Sequence, residues 1–289
     1  MSEFLTKEST LHNLSAFSRS TLEDAKAMAF LNRFDTKFVL RRETVPLFLE
    51  SIKDDYSVLQ IGDDTIVQSY NTVYFDTPDL LCFNMHHNKR ANRFKFRTRK
   101  YLSNGKIFNE IKQKRNSGKT IKFRQRRDGL EDMMPVNNPN TAVLPALENL
   151  SDFDEHFMSL LNSNGYGHVQ GLVPSLSVYF SRVTFLNKHF PERMTLDIGL
   201  SYGHNGINLI LYDTAIVELK REKGPQRTVS QRFFRSIHKE PSGFSKYTIG
   251  ISLTHPESKK NRFLKRLRNL KFENKPEVEN IPEVERCVA

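Results

Sequence analysis

From Arg93 to Arg99 the chain alternates strictly, with a basic residue at every second position and Phe or Thr between. Period two is the period of a β-strand, so Arg93, Lys95, Arg97 and Arg99 share one face while Phe94 and Phe96 take the other. This run reaches Tyr101. Two further strand-like runs follow, Lys106 to Lys114 and Thr120 to Arg126, joined by Ser-Asn-Gly and Asn-Ser-Gly turns in which Gly105 and Gly118 supply positive φ. Together they predict a β-meander. In it Glu110, Lys112 and Lys114 form the same-side set of the second strand, and Lys122, Arg124 and Arg126 that of the third.

The remaining pattern predicts more strands than helices. Strands are expected over Thr36 to Arg41, Ile66 to Phe75, Ser175 to Leu186, Arg193 to Leu200, Leu209 to Tyr212 and Ala215 to Lys220. Helices are expected from Ser20 to about Asn32, opened by a Ser20-Thr21-Leu22-Glu23 capping box, and over Glu43 to Lys53 with Pro46 in the first turn. Further helices are expected from Pro78 through Asn84, from Ser151 to Asn162, and from Thr228 to Lys239, with Met133 to Pro145 a loop. These elements predict one main domain over residues 1–255, α+β but mainly β, with about eight strands. Residues 256–289 are set apart. There Lys259 to Lys271 carries seven basic residues around Phe263, Leu264, Leu267 and Leu270, which reads as a basic amphipathic helix followed by a mobile acidic tail.

Charge sharpens this picture. The 289 residues hold 44 Lys+Arg against 33 Asp+Glu, a formal net charge of +11 that favours an anionic partner. A single cationic strand face is ordinarily just the solvated side of a sheet. Three neighbouring ones bring like charges to within ~4 Å, repelling by about 1 kcal/mol per pair in water and more at lower dielectric, unless an anion neutralises them. A polyphosphate would do so, each guanidinium forking onto two phosphate oxygens. The second half repeats the theme more sparsely, with Arg182, Arg193 alternating with Asp197, and Glu218 alternating with Lys220. A carboxylate among cations, Glu218 either pairs with them or holds a divalent metal.

Other signals carry less. Cys82 and Cys287 are far apart and lack metal-ligand spacing, so a reducing, cytoplasmic setting is expected. The first twenty residues lack a signal-peptide pattern, and no run of ~18 apolar residues occurs. Gly118-Lys119-Thr120 resembles the end of a P-loop without its first Gly, His86-His87 reads as a solvent-exposed pair, and Gly165-Tyr166-Gly167 as a loop.

Several segments, in order over residues ~30 to ~252, resemble the catalytic domain of the vacuolar transporter chaperone (VTC) polyphosphate polymerases, within the triphosphate tunnel metalloenzymes. They are Thr36-Lys37-Phe38-Val39, Val73-Tyr74-Phe75-Asp76-Thr77-Pro78, Lys95-Phe96-Arg97-Thr98-Arg99-Lys100-Tyr101, Phe108-Asn109-Glu110-Ile111-Lys112, Phe180-Ser181-Arg182-Val183-Thr184-Phe185, Arg193-Met194-Thr195-Leu196-Asp197, Val217-Glu218-Leu219-Lys220 and Phe244-Ser245-Lys246-Tyr247. The resemblance implies an eight-stranded antiparallel tunnel with a cationic interior. In it Lys37, Arg97, Arg99, Lys112, Arg182, Arg193, Ser245 and Lys246 hold phosphates, and Glu218 carries Mn²⁺ or Mg²⁺. Lys95, Lys122, Arg124 and Lys220 join them as phosphate-binding residues on the alternation above.

The activity implied is transfer of the ATP γ-phosphoryl group onto inorganic polyphosphate with release of ADP. Hydrolysis of triphosphate or an RNA 5′-triphosphate on the same scaffold, and a non-catalytic polyanion-binding module, are the competing readings. The expected partners are ATP and polyphosphate, with no specific nucleic acid, and Lys259 to Lys271 offers contact to an anionic membrane surface or a protein. Two departures stand out: the superfamily's opening Glu-x-Glu-x-Lys is Arg33-Phe34-Asp35-Thr36-Lys37, and Gly243 stands where another phosphate-binding Lys is expected. The phosphate-sensing domain and membrane helices of eukaryotic members are not in this sequence, so a stand-alone microbial form is expected.

Overall fold

The computed structural model describes residues 13–28, 33–62, 64–127, 155, 158, 159, 161–163, 169–222 and 227–274. The expected loop at 133–145, most of the 151–162 helix, Gly165 to Gly167 and the acidic tail lie outside these residues.

Eight antiparallel strands form one continuous ladder. They are β2 (Arg33–Arg41), β4 (Val67–Asp76), β5 (Arg93–Tyr101), β6 (Ile107–Lys114), β7 (Thr120–Arg127), β8 (Val173–Asn187), β9 (Glu192–His204) and β11 (Thr214–Glu222). Their order is β2-β11-β9-β8-β4-β5-β6-β7. Shorter strands extend the rim. β1 (Ser18–Ser20) runs parallel to β3 (Tyr56–Leu59), which adds to β8, and β10 (Ile207–Leu211) joins β9 to the two-residue β12 (Glu273–Asn274). Side chains of β2 and β7, the ends of the ladder, line one cavity together, so the sheet curls into a tunnel barrel. Gly105 and Gly118 sit in the β5–β6 and β6–β7 turns at φ +67° and +78°, as their hairpins require. Gly118-Lys119-Thr120 is therefore a hairpin turn.

Alternation decides which wall each residue serves. Outward-facing Phe38, Leu40, Met194, Leu196, Val217 and Leu219 pack with α2 (Val45–Ile52) and α4 (Val229–Ser236), where the Phe38 and Phe234 rings stack at 3.8 Å. On the opposite wall Val73, Phe75, Phe94, Phe96, Ile107 and Ile111 form a second cluster. Fully burying each such side chain contributes about 1.5–3 kcal/mol. A third cluster fills one end of the barrel from inside: Tyr70, Tyr74, Leu176, Val178, Phe180, Leu200 and Tyr202 meet Tyr247, Ile249 and Ile251 of α5 (Lys246–Thr254).

A bulge makes that filling possible. The β8–β9 register slips between Tyr179 and Ser181, which pair with Ser201 and Ile198, and the extra residue in β9 lies at Gly199, φ +61°. The slip inverts the alternation. Asp197 and Tyr202 therefore serve the same interior although one is odd-numbered and the other even. It also explains why β9 runs four residues beyond the expected end at Leu200.

Several expectations need correction. The first helix, α1 (Leu22–Ala27), is capped one residue later than expected: Thr21 Oγ1 accepts from Asp24 N at 3.2 Å and Asp24 Oδ2 accepts from Thr21 N at 2.8 Å. Pro78 precedes a helix that begins only at Leu81 (α3, Leu81–His87), because Asp76, not Pro78, organises its start: Oδ1 accepts from Cys82 N and Oδ2 from Phe83 N at 2.8 and 2.9 Å. Lys259 to Lys271 is not one amphipathic helix but a 3₁₀ turn (Asn261–Phe263) and a four-residue helix α6 (Leu264–Leu267), bent so that Phe263 and Leu270 are both buried in the α5 cluster. No helix among the described residues is long and apolar enough to cross a membrane.

Candidate functional site

The inward positions of all eight strands converge on one space. A cavity of about 220 Å³ is lined by Asp35 and Lys37 from β2, Tyr74 from β4, Lys95, Arg97 and Arg99 from β5, Lys112 from β6 and Lys122 from β7. From the other wall come Arg182 of β8, Asp197 of β9 and Glu218 and Lys220 of β11, with Ser245 and Lys246 closing one side. It opens into a vestibule of about 990 Å³ that shares Lys37, Lys95, Lys112 and Lys122 and adds His86, Arg93, Lys114 and Lys119. Lys95, Arg97 and Arg99 of β5, Lys112 of β6 and Lys122 of β7 thus face one shared space, while Arg124 and Arg126 of the outer strand β7 stay exposed.

Register explains how so many cations coexist. Arg97 lies directly opposite Glu110, and Glu110 opposite Arg124. Arg97 Nε donates to Glu110 Oε2 at 2.7 Å, and Arg124 Nε stands 3.7 Å from Oε1. Arg182 lies opposite Asp197 and donates to both its oxygens, at 2.5 and 2.8 Å, while Lys246 donates to Oδ2. Lys37 lies opposite Glu218, whose Oε1 is 3.6 Å from Lys37 Nζ and whose Oε2 accepts from Lys220 at 2.7 Å. Lys220 and Lys37 therefore hold Glu218 well below the usual carboxylate range despite its burial. Arg182 and Lys246 do the same for Asp197.

In one row every residue in register is a lysine. Lys95, Lys112 and Lys122 stand directly opposite one another across β5, β6 and β7. Burial, then the charges of Lys112 and Lys37, push Lys95 well down, and Lys112 falls to about 8 through burial, Lys37 and Lys122. Such a row is unfavourable without an anion beside it. Lys95 Nζ donates to Ser245 Oγ at 2.9 Å, and Ser245 is the N-cap of α5, accepting from Thr248 N at 3.3 Å. The positive end of that helix thus adds to the lysines' attraction for an anion. Lys220 and Lys246 are each lowered to about 8 by burial, which Glu218 and Asp197 only partly offset.

α5 is set from outside the lumen. Tyr247 Oη donates to Asp76 Oδ2, the carboxylate that also organises α3. This gives Asp76 and Tyr247, both within the resembling segments, a structural part.

Not every expected residue lines the cavity. Arg99 does, its Nε donating to Thr72 Oγ1 at 3.1 Å and its guanidinium lying over the Tyr70 and Phe180 rings. Arg124 does not: its guanidinium lies 3.6 Å from the Phe108 ring centre and donates to Tyr101 Oη, drawn aside by the aromatic pair. Arg193 stands in register opposite Lys220 but is outside the cavity lining. The histidine pair is not solvent-exposed. His87 is 5% exposed and within 2.5 Å of Asn261 Oδ1, whereas His86 turns to the vestibule, its pKa lowered to about 2 by burial and then by Lys95, Arg93, Lys112 and Arg266. Sequence reasoning missed Asp35, Glu110 and Asp197 as site residues, although Asp35 at i−2 from Lys37 and Asp197 at i+4 from Arg193 satisfy the same alternation.

A family model, the VTC domain, matches residues 32–255. The chain belongs to the VTC domain family. The family implies a triphosphate tunnel that binds triphosphate-containing substrates, together with a divalent metal. A search of curated proteins found no match. Among solved structures, the chain is similar to a Hippeastrum adenylyl cyclase candidate reported to have dominant triphosphatase activity (14% identity, 76% of this chain and 97% of that one, TM-score 0.47). It is also similar to adenylate cyclase candidates from Bacillus halodurans (15%, 80% and 97%, TM-score 0.45) and Vibrio parahaemolyticus (11%, 74% and 95%, TM-score 0.40).

Among the described residues no group of three or more His, Cys, Asp or Glu could hold a metal ion. Glu218 still suits one of the kind implied, because Mg²⁺ and Mn²⁺ are commonly held by one or two carboxylates with substrate phosphates supplying the other oxygens.

Proposed function

We propose that this VTC domain is a polyphosphate polymerase that moves the γ-phosphoryl group of ATP onto a polyphosphate chain. The observation that carries this reading is the convergence: inward cations of separate strands, among them the in-register Lys95, Lys112 and Lys122, surround one space. Arg97, Arg99, Arg182, Lys246 and Ser245 bind and align phosphates there, with Lys37, Lys95, Lys112, Lys122 and Lys220 spreading charge along the chain and Arg193 beyond Lys220. A terminal oxygen of the chain attacks the γ-phosphorus, the bond from that phosphorus to the β,γ-bridging oxygen breaks, and ADP leaves. The side chains act by charge and alignment, without a covalent protein intermediate. Glu218, with phosphate oxygens, would hold Mn²⁺ or Mg²⁺, which when bound offsets charge on the transferring group. The reading includes a cytoplasmic setting and contact of the 259–271 segment with an anionic membrane surface or a protein.

The test is incubation of the full chain with ATP and Mn²⁺. ADP together with a phosphate polymer is expected, and Glu218→Gln should abolish the polymer. Turnover unchanged in Glu218→Gln would refute the metal assignment, and orthophosphate without polymer would identify a hydrolase. A binding role is the second reading, favoured by one observation, that Lys37 and Lys220 already engage both oxygens of Glu218. It predicts salt-dependent polyphosphate binding and no turnover.

A further inference from the structure

Residue 243 has no side chain, and another residue fills the space beside it. A Cβ built on Gly243 would stand 2.9 Å from Nη2 and 3.4 Å from Cζ of Arg266, so that guanidinium takes the place a side chain at 243 would occupy. Gly243 is two residues before Ser245, whose Oγ accepts from Lys95, and three before Lys246. Arg266 is also close enough to the vestibule for its charge to act on His86 together with Lys95, Arg93 and Lys112. It lines a cleft of about 610 Å³ with Gly243, Lys239 and Phe244, and Phe244 lines the lumen as well. Arg266 therefore stands beside the tunnel although it lies beyond residue 255, where the VTC match ends.

Its approach is fixed by packing. Phe263 is 6% exposed, its ring edge-on to His87 at 5.6 Å and 6.0 Å from Phe83, and Leu270 is 8% exposed in the same cluster. His87 meets Asn261 at the start of the turn. Anchors on both sides thus hold Arg266 at Gly243. Among the described residues its guanidinium faces no ion-pair partner.

We propose that Arg266 is a phosphate-binding residue of this site, its guanidinium reaching through the gap at Gly243 to hold an oxygen of the phosphate chain beside Ser245 and Lys246. The proposal rests on the phosphate-chain reading above. It makes the 256–274 segment part of the binding site and not an appendage to it.

The experiment is titration of the full chain with inorganic tripolyphosphate by calorimetry, at one fixed salt concentration, for the wild type, Arg266→Ala, Gly243→Lys/Arg266→Ala and, as a control, the exposed Arg268→Ala. Arg266→Ala should weaken binding roughly 10-fold, the effect of losing one charge-assisted hydrogen bond to phosphate. Gly243→Lys in that background should recover most of the loss by placing an ammonium in the same gap, and Arg268→Ala should bind like the wild type. Arg266→Ala binding within twofold of a tightly binding wild type would overturn the proposal. So would a loss that Gly243→Lys does not recover, which marks a packing role. Failure of the wild type to bind tripolyphosphate at all would instead bring down the phosphate-chain reading itself.

Discussion

Replacing Asp197 by Asn keeps shape and removes one charge from the most tightly paired carboxylate in the lumen. Asp197 is 2% exposed, accepts two bonds from Arg182 at 2.5 and 2.8 Å, and accepts another from Lys246. An amide can accept at only one atom, so two buried cations lose their counter-charge. Removing one partner of a buried pair costs about 3–5 kcal/mol, because the other charge is stranded. At about 2–4 °C per kcal/mol for a domain of this size, Tm should fall by roughly 6–20 °C. Phosphate oxygens can replace the missing charge, so saturating tripolyphosphate should raise the Tm of Asp197→Asn by more than it raises that of the wild type. Differential scanning fluorimetry with and without tripolyphosphate measures both. A fall of less than about 3 °C, or equal stabilisation of the two proteins, would refute the view that Asp197 supplies the counter-charge that Arg182 and Lys246 need.

Protonation gives a prediction with two opposite signs. Lys112, Lys220 and Lys246 titrate near 8 in the folded protein, against an ordinary 10.5. Between those values the unfolded chain holds more protons than the folded one, so urea unfolding should show stability rising from about pH 8 to about pH 10.5. Tripolyphosphate needs the charged lysines, so its affinity should fall over the same window, and a calorimetric affinity that is flat from pH 7 to 9.5 would contradict this. Gly250 is the tightest point of α5: a Cβ there would lie 2.4 Å from Leu176 Cδ2 and 2.7 Å from Tyr202 Cδ1. Gly250→Ala should cost about 1–3 kcal/mol by overpacking, and an unmoved denaturant midpoint would mean that α5 does not sit against β8 and β9 as described.

The strands were the most legible part of the sequence. β5, β6 and β7 follow from period two and their Gly turns alone, because there the alternation is uninterrupted and each turn glycine has one conformational reason to be present. β3, Tyr56–Leu59, was missed because all four residues are buried and no alternation shows. The run through Gly199 was cut short because a bulge resets the alternation that defined it. For the site, the cations were legible residue by residue, since a basic residue inside a strand announces itself. Their balance was not. That Glu110 answers Arg97 and Asp197 answers Arg182 depends on which residues stand opposite across strands, and that register comes only with the assembled sheet. Arg124 shows the reverse: it has the right parity, yet Phe108 and Tyr101 offer its guanidinium a closer partner than the lumen does.

The single glycine at 199 has a consequence for how this tunnel can change. By swapping inside for outside halfway along β9, it lets one strand contribute an electrolyte lining below and an oily stopper above. Deleting that residue would turn Leu200 and Tyr202 toward the exterior and unseat the stopper while leaving Asp197 where it is. Natural variation in tunnel depth is therefore expected to proceed by moving the bulge along β9, not by replacing the lining one side chain at a time.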